Sequence, residues 1–403
     1  MKNKTKVSIV KCDTYNKEAL SDAISDCVNL IGGFKRFIKP ESKIVVKPNL
    51  LSAALPENAV TTHPVFVEAI VEKIIEITGR SENITIVDSP GAGIPYTKNN
   101  LKKVYEKTGL IDIPKRTGCR LNYDTEYSSL SLKEGKVIKK IEVIKPVLDA
   151  DIIINLPKFK THDLTVITGA VKNIFGVIPG FLKPGYHARF NRVEKFSDML
   201  IDLIMLIKPE ISIMDGVLGV EGEGPGMSGS PRKVGLILAS KNPISLDVVM
   251  AKVMGIREEL CPTIVAARSR KIEGADINDI EVLGEELGKV IISDFELPKN
   301  AGREELVKNS FKSNYILPFV RNSLSPYPAV NRNKCSLCKT CVRVCPENSI
   351  FIKGGRIKFN YKKCIRCFCC SEMCPEGAIE LKYSLLGNFI LNKLGWAGKI
   401  KEI

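Results

Sequence analysis

CSLCKTCVRVCP at residues 335–346 and CIRCFCCSEMCP at residues 364–375 share one pattern, C-x2-C-x2-C-x3-C-P. This is a spacing by which [4Fe–4S] clusters are held. Three thiolates two residues apart on one tight loop can cap three irons of a cubane. The fourth Cys, followed by Pro, is expected to start a short helix and to point toward the other cluster. The pattern therefore assigns one cluster to Cys335, Cys338, Cys341 and Cys374, and a second to Cys364, Cys367, Cys370 and Cys345. Zinc would use paired C-x2-C without the third and fourth Cys of each run. A disulfide framework does not suit a chain of this size with no secretory signal. Cys369, an extra Cys inside the second run, is read as a bystander thiol.

On these motifs the segment 331–382 resembles a two-cluster bacterial ferredoxin domain, with apolar strands Ser349–Ile352 and Ala378–Leu381 after the two runs. The resemblance implies a small α+β module that carries two [4Fe–4S] clusters and passes single electrons.

The module takes only a small part of the 403 residues, so the rest must hold at least one further domain. An apolar share of 44% with 26% charged residues describes a well-cored globular chain and not a disordered one. Cys12, Cys27, Cys119 and Cys261 are scattered without metal spacing and read as buried thiols. The start, MKNKTKVSIVKCD, has too short an apolar run for a signal peptide. Met199–Ile207, the longest apolar stretch, is interrupted by Asp202 and stopped by Lys208 and Pro209, too short to span a bilayer. A cytoplasmic protein with no transmembrane segment is expected, from an anaerobe because exposed cubanes tolerate oxygen poorly. The formal charge of +15 is reduced by clusters that carry about −2 each with their thiolates. Its Lys and Arg residues form no arginine-rich run, which argues against nucleic acid. A solvated, Lys-rich surface accounts for this charge, and an acidic redox partner protein or an anionic small molecule would also fit it.

Working back along the chain, residues 4–10 alternate as a strand, and Asn16–Leu30 follows as an amphipathic helix stopped by Gly32-Gly33. Lys43–Val46 is a short buried strand. Thr62 is expected to cap a helix over His63–Ile77, with Pro64 in its first turn. Asn83–Val87 is a third strand. This alternation predicts a mainly parallel sheet with helices on both faces. Cys119–Val147 reads as an antiparallel excursion, and Asp151–Asn155 as another buried strand. Helices are expected at Leu164–Ile174, Val193–Ile207 and Ile244–Met254. Strands are expected at Ile211–Met214, Val234–Ala239 and Ile280–Leu283. The layout is an α/β domain over 1–300, a connector at 301–330, the ferredoxin domain at 331–382 and an amphipathic tail at 383–403. The tail's apolar residues recur at helical spacing, fitting a helix on the chain's own surface or one lying at a membrane or partner.

In an open α/β sheet, ligands sit beyond the carboxyl ends of the strands. Lys47 and Asn49 fall there, as do Asp88 and Ser89. So do Lys158, Lys160, Thr161 and His162, and Asp215 with the glycine-rich run GVLGVEGEGPGMSGSP carrying Glu221 and Glu223. Lys172 and Asn173 lie just after. KPN, DSPG, LPKFKTH, GAVKNIFG, MDG and NPISLDVV, in this order, resemble the uncharacterised DUF362 family, whose members often carry a C-terminal 4Fe–4S domain. Gly91-Ala-Gly93 does not continue into a G-x-G-x-x-G, and no P-loop and no H-x3-H or H-E-x2-H zinc motif occurs. The candidate site is therefore Lys158, Lys160 and Lys172 for an anion, His162 for a proton, and Asp215, with Asp88 and the Glu pair, for protons or a divalent cation. An electron-transferring oxidoreductase is the first expectation. A non-catalytic electron carrier or assembly scaffold is the alternative.

Overall fold

The computed structural model describes residues 4–299, 301 and 326–385. The large domain is built on β1 (Thr5–Lys11), β2 (Ile44–Pro48), β3 (Ile84–Ile86), β4 (Arg120–Leu121), β5 (Tyr127–Ser131), β6 (Lys140–Ile144), β7 (Ile152–Leu156), β8 (Lys158–His162), β9 (Val166–Thr168), β10 (Ile211–Gly222), β11 (Gly229–Ser240) and β12 (Ile280–Gly284). Among the described residues ten of these form one sheet, in the order β12-β1-β11-β10-β7-β2-β3-β4, with β8 and β9 branching from β10. Along the main path only β11 runs against its neighbours. The expected mainly parallel α/β architecture is the one observed.

Strands β2 and β7 are buried at every position, as parallel strands covered on both faces must be. Helices Lys17–Leu30, Pro64–Thr78 and Val193–Ile207 pack into a core with Ile44, Val46, Ile84, Ile154 and Ile213. The helix Pro243–Val253 anchors a second core with Ile9, Phe159 and Leu238. The cap of Lys17–Leu30 is Asn16, whose side chain accepts from the Ala19 amide at 3.2 Å. For Pro64–Thr78 the capping residue is His63 and not Thr62. The Thr62 hydroxyl is otherwise engaged, accepting from the Asn49 amide and donating to the Leu156 carbonyl.

Two elements differ from the sequence expectation. LPKFKTH is itself a strand, β8, and the chain returns through β9, so the expected helix at Leu164–Ile174 shrinks to Ala170–Asn173. The β-branched run TVIT accounts for this, since it favours a pleated surface. The glycine-rich run is a hairpin, in which Glu221 pairs with Ser230 and Gly222 with Gly229. The excursion expected in the middle is the antiparallel pair β5–β6, while Arg120–Leu121 extends the parallel sheet beside β3.

The small domain comprises β13 (Tyr327–Val330), β14 (Ile350–Lys353), β15 (Arg356–Phe359) and β16 (Ile379–Lys382) in two antiparallel pairs. Tyr327–Val330 lies within the expected connector, yet it pairs with β16. The short helices Thr340–Arg343 and Cys369–Glu372 precede the fourth Cys of each run instead of starting at it. Most of the connector and the tail beyond Leu385 lie outside the described residues.

Candidate functional site

The carboxyl ends of β2, β3, β7 and β10 open toward the small domain, and the polar residues expected there divide into two groups. In the first, Lys158 on β8 sits beside Asp215 on β10 in parallel register. Its ammonium donates to Asp215 Oδ2 at 2.7 Å and to the Tyr15 hydroxyl at 2.9 Å. Tyr15 donates to Asp215 Oδ1 at 2.8 Å, and the His63 amide donates to Oδ2 at 2.9 Å. The Tyr15 and His63 rings stack with centroids 3.6 Å apart. Lys158 and Asp215 are fully buried and bound to each other, as buried ions must be.

The second group surrounds a small cavity of about 40 Å³. Lys160, Lys172, Ser89, Thr168, Asn49, Asn173, Lys183 and Glu372 are among its walls. Lys160 donates to Asn49 Oδ1 at 2.8 Å and to the Val60 carbonyl at 2.7 Å. Asn49 donates to Asn173, and Asn173 to Asn155, which reaches Ser212. This chain of amides holds the strand ends in one arrangement. Lys183 donates to the Ser89 and Pro90 carbonyls at 2.7 and 2.6 Å. Lys47 is matched by Asp88 at 2.7 Å, and Asp88 also accepts from the Leu50 amide.

Lys172 is different. Its ammonium lies over the Phe175 and Phe196 rings, at 4.8 and 5.8 Å from their centroids, and makes no hydrogen bond among the described residues. The helix that carries it is tied down by Asp247, whose carboxylate accepts from the Ala170 and Val171 amides at 2.5 and 3.1 Å. Burial lowers the pKa of all these lysines. For Lys160 and Lys183 it brings the value down to about 7. His162 is held well below the usual histidine range, first by burial and then by the nearby Lys172, His187 and Lys160 charges. Its Nδ1 accepts from the Leu164 amide at 2.9 Å, which leaves the proton on Nε2.

Glu372 closes this site from the other domain. It ends the short helix between Cys370 and Cys374, and its Oε2 stands 3.9 Å from His162 Nε2. Neither atom has a hydrogen-bond partner. The two domains meet over glycines. A methyl group on Gly226 would meet the Glu372 carbonyl, one on Gly91 would come within 2.6 Å of Met373 Sδ, and one on Gly93 within 2.6 Å of Val344. The glycine runs DSPGAGI and GPGMSG therefore form a seat for the small domain.

Sequence reasoning grouped Lys158 with Lys160 and Lys172 as the anion set and left Asp215 for protons or a cation; the structure brings Lys160 and Lys172 to the cavity but ties Lys158 to Asp215 and Tyr15 away from its walls. Sequence reasoning missed Lys183, which follows no strand, and Glu372, which lay inside a motif read only for its Cys residues. The asymmetry of the two runs was a usable signal, because Glu372 occupies the position that Arg343 holds in the first run.

The Cys quartets fit cubane ligation. Cys341 is buried and its pKa is pushed up to about 11, by burial first and then by the neighbouring Cys374, Cys338 and Cys335. Cys370 is raised by burial and by Cys367, Cys364, Cys341 and Cys345. Cys341 thus has Cys374, Cys338 and Cys335 as neighbours, and Cys370 has Cys367, Cys364 and Cys345 together with Cys341 of the other set. Among the described residues no trio of His, Cys, Asp or Glu stands close enough to share one metal ion; a cubane does not need that, since each thiolate takes its own iron. Cys369 is buried in a separate apolar cluster with Leu51, Val344 and Met373.

Comparison with known proteins gives three results. The family described as domain of unknown function DUF362 matches residues 44–252, just over half of the chain. A 4Fe–4S dicluster domain matches residues 327–375. The thylakoid-associated protein sll1697 of Synechocystis sp. is 29% identical over 333 residues, covering 80% of this chain and 98% of that protein. Two solved structures are also similar. The lactate racemase apoprotein of Thermoanaerobacterium thermosaccharolyticum aligns over 63% of this chain and 57% of its own, at 12% identity and a TM-score of 0.40. A structural-genomics target from Thermotoga maritima aligns over 52% of each chain, at 13% identity and a TM-score of 0.31. The chain thus spans only a little over half the length of these two structures.

Proposed function

This chain belongs to the DUF362 family and carries a 4Fe–4S dicluster ferredoxin domain, and from that premise we propose that it is an iron–sulfur oxidoreductase component whose crevice holds an anionic small molecule. The observation that carries the reading is Glu372. It reaches into a cavity walled by Lys160, Lys172 and Lys183 from a helix lying between two assigned cluster ligands. A molecule bound there would sit within one helical turn of the electron-carrying centre.

When bound, the clusters supply single low-potential electrons. The chain's own residues do the rest. Lys160, Lys172 and Lys183 hold the anion. The Nε2–H of His162, 3.9 Å from the Glu372 carboxylate that lines the crevice, serves as a proton donor, and the seated small domain excludes water, which strengthens each of these charges. Lys158 and Asp215, bound to each other and to Tyr15, brace the β8 end that presents Lys160 and His162. Cys338 is exposed, as are its sequence neighbours Lys334, Lys339 and Arg343, a basic stretch suited to an acidic redox partner protein. Among the described residues no helix is long and apolar enough to cross a membrane. A cytoplasmic, oxygen-poor setting is the one in which such exposed centres persist.

The test is anaerobic stopped-flow mixing of the dithionite-reduced holo-protein with a panel of anions, following cluster reoxidation. Lys160→Met and Lys172→Met, with clusters fully loaded, should each slow anion-dependent reoxidation at least tenfold. Unchanged rates would remove the crevice from the reaction. One observation favours a second reading, an electron carrier with no substrate: the cavity is small and covered. Under that reading no anion alters cluster reoxidation at all.

A further inference from the structure

The groups left without partners around the crevice describe what would fill it. The Ser89 and Thr168 hydroxyls line the cavity, are buried, and have no hydrogen-bond partner among the described residues. Lys160 and Lys183 each use two of three ammonium protons on the partners given above, and Lys172 uses none. His162 Nε2 carries a proton with no acceptor within reach. Against these donors stands one carboxylate, Glu372, because Asp88 is already engaged by Lys47 and the Leu50 amide. Three buried ammoniums facing one carboxylate leave positive charge uncompensated, which is costly away from water. An acceptor-rich anion supplies both the missing charge and the missing acceptors.

Size narrows the class. A cavity of about 40 Å³ is roughly three times the ~10–15 Å³ that one water needs. The walls have little room to give. Gly176, Gly180 and Gly91 approach so closely that a methyl group on any of them would meet Asp88, the Pro90 carbonyl or the Leu51 carbonyl. On the far side the backbone of Glu372 rests on Gly226.

Resting on the crevice reading above, we infer that this site takes a small oxyanion of about three or four heavy atoms, the class of formate, bicarbonate, nitrate or sulfite, held by Lys160, Lys172 and Lys183 with the Ser89 and Thr168 hydroxyls. Longer organic acids and phosphate esters do not fit while the small domain is seated. Lys172 is the principal anchor, because its ammonium has no other hydrogen-bonding role.

The test is anaerobic titration calorimetry of the oxidised holo-protein with formate, bicarbonate, nitrate and sulfite, and with succinate and a sugar phosphate as larger probes. At least one small oxyanion should bind and both larger probes should not. Lys172→Met should weaken the binding tenfold or more, with the melting temperature unchanged or raised because an apolar chain replaces a buried ammonium. Thr168→Val, which removes one donor and no charge, should weaken it severalfold. Binding of a small oxyanion that neither variant alters would overturn the inference, and so would failure of all four to bind. If succinate or the sugar phosphate binds and Lys172→Met abolishes it, the size class is wrong while the crevice remains an anion site. If no probe binds and reoxidation ignores the lysines, both readings fall together.

Discussion

Lys47 and Asp88 face each other across the ends of two adjacent strands, and neither is wetted. Breaking such a pair leaves a lone buried charge, so Asp88→Asn should destabilise the large domain by about 3–5 kcal/mol in urea unfolding. The double change Lys47→Met, Asp88→Asn should recover much of that loss. Lys160 and Lys183 make a second prediction. Burial brings both down to about 7 in the folded state, whereas in the unfolded chain they stay protonated up to about 10.4. Between those limits the unfolded state holds more protons, so stability must rise with pH. The penalty is fully present below pH 7 and fades above it, at up to about 1.4 kcal/mol per pH unit for each lysine. Urea midpoints between pH 7 and 9 should rise more steeply for the parent than for Lys183→Met; equal slopes would show that Lys183 stays charged. At this scale the sequence was legible wherever a function is encoded locally. The eight cluster Cys announce themselves by spacing, and Lys47, Lys160, His162 and Lys172 by following buried runs. Partners were not legible, because register decides them. Lys158 sits beside Asp215 only because β8 and β10 run parallel in one alignment.

The β10–β11 hairpin shows how an element can be hidden by its composition. Its tip is rich in Gly and Pro, a signal for loops, and the run was expected only as a glycine-rich stretch following a strand. Gly226 instead answers a steric demand, since the Glu372 carbonyl lies directly over it, while Gly224 packs against Thr161. Sequence alone could not reveal this, because the second surface is contributed by residues about 150 positions later. Gly226→Ala should therefore loosen the seat of the small domain without touching a cluster ligand. Hydrogen exchange at the amides of residues 369–374 should quicken at least tenfold while the visible spectrum of the holo-protein stays the same. Protection equal to the parent's would mean that the seat is softer than its geometry indicates. The run Leu164–Ile174 teaches the complementary lesson. Its apolar residues satisfy a helical period, but β-branching and the neighbouring β8 edge draw Val166–Thr168 into the sheet.

For the whole molecule, the two domains differ in what holds them together. The large domain has an extended aliphatic core. In the small domain the core is Cys341, Cys370 and Cys374 with Ile350, Ile357, Ala378 and Ile379, so much of its interior consists of cluster thiols. Stripping iron with a chelator under reducing conditions should melt the small domain and leave the large one folded, as for other small metal-built domains. Circular dichroism should then show one transition retained near its original temperature; a single cooperative loss of both domains would contradict this. The sheet's order has a further consequence, for synthesis on the ribosome. β1 emerges long before its partners, for it pairs with β11 and β12, more than 200 residues downstream. At about 5–20 residues per second, this strand waits on the order of ten seconds or longer before its neighbours exist. During that interval its Val7 and Ile9, fully enclosed in the finished sheet, are open to nascent-chain chaperones, so depletion of such chaperones should lower the yield of this protein more than that of a sheet assembled in chain order.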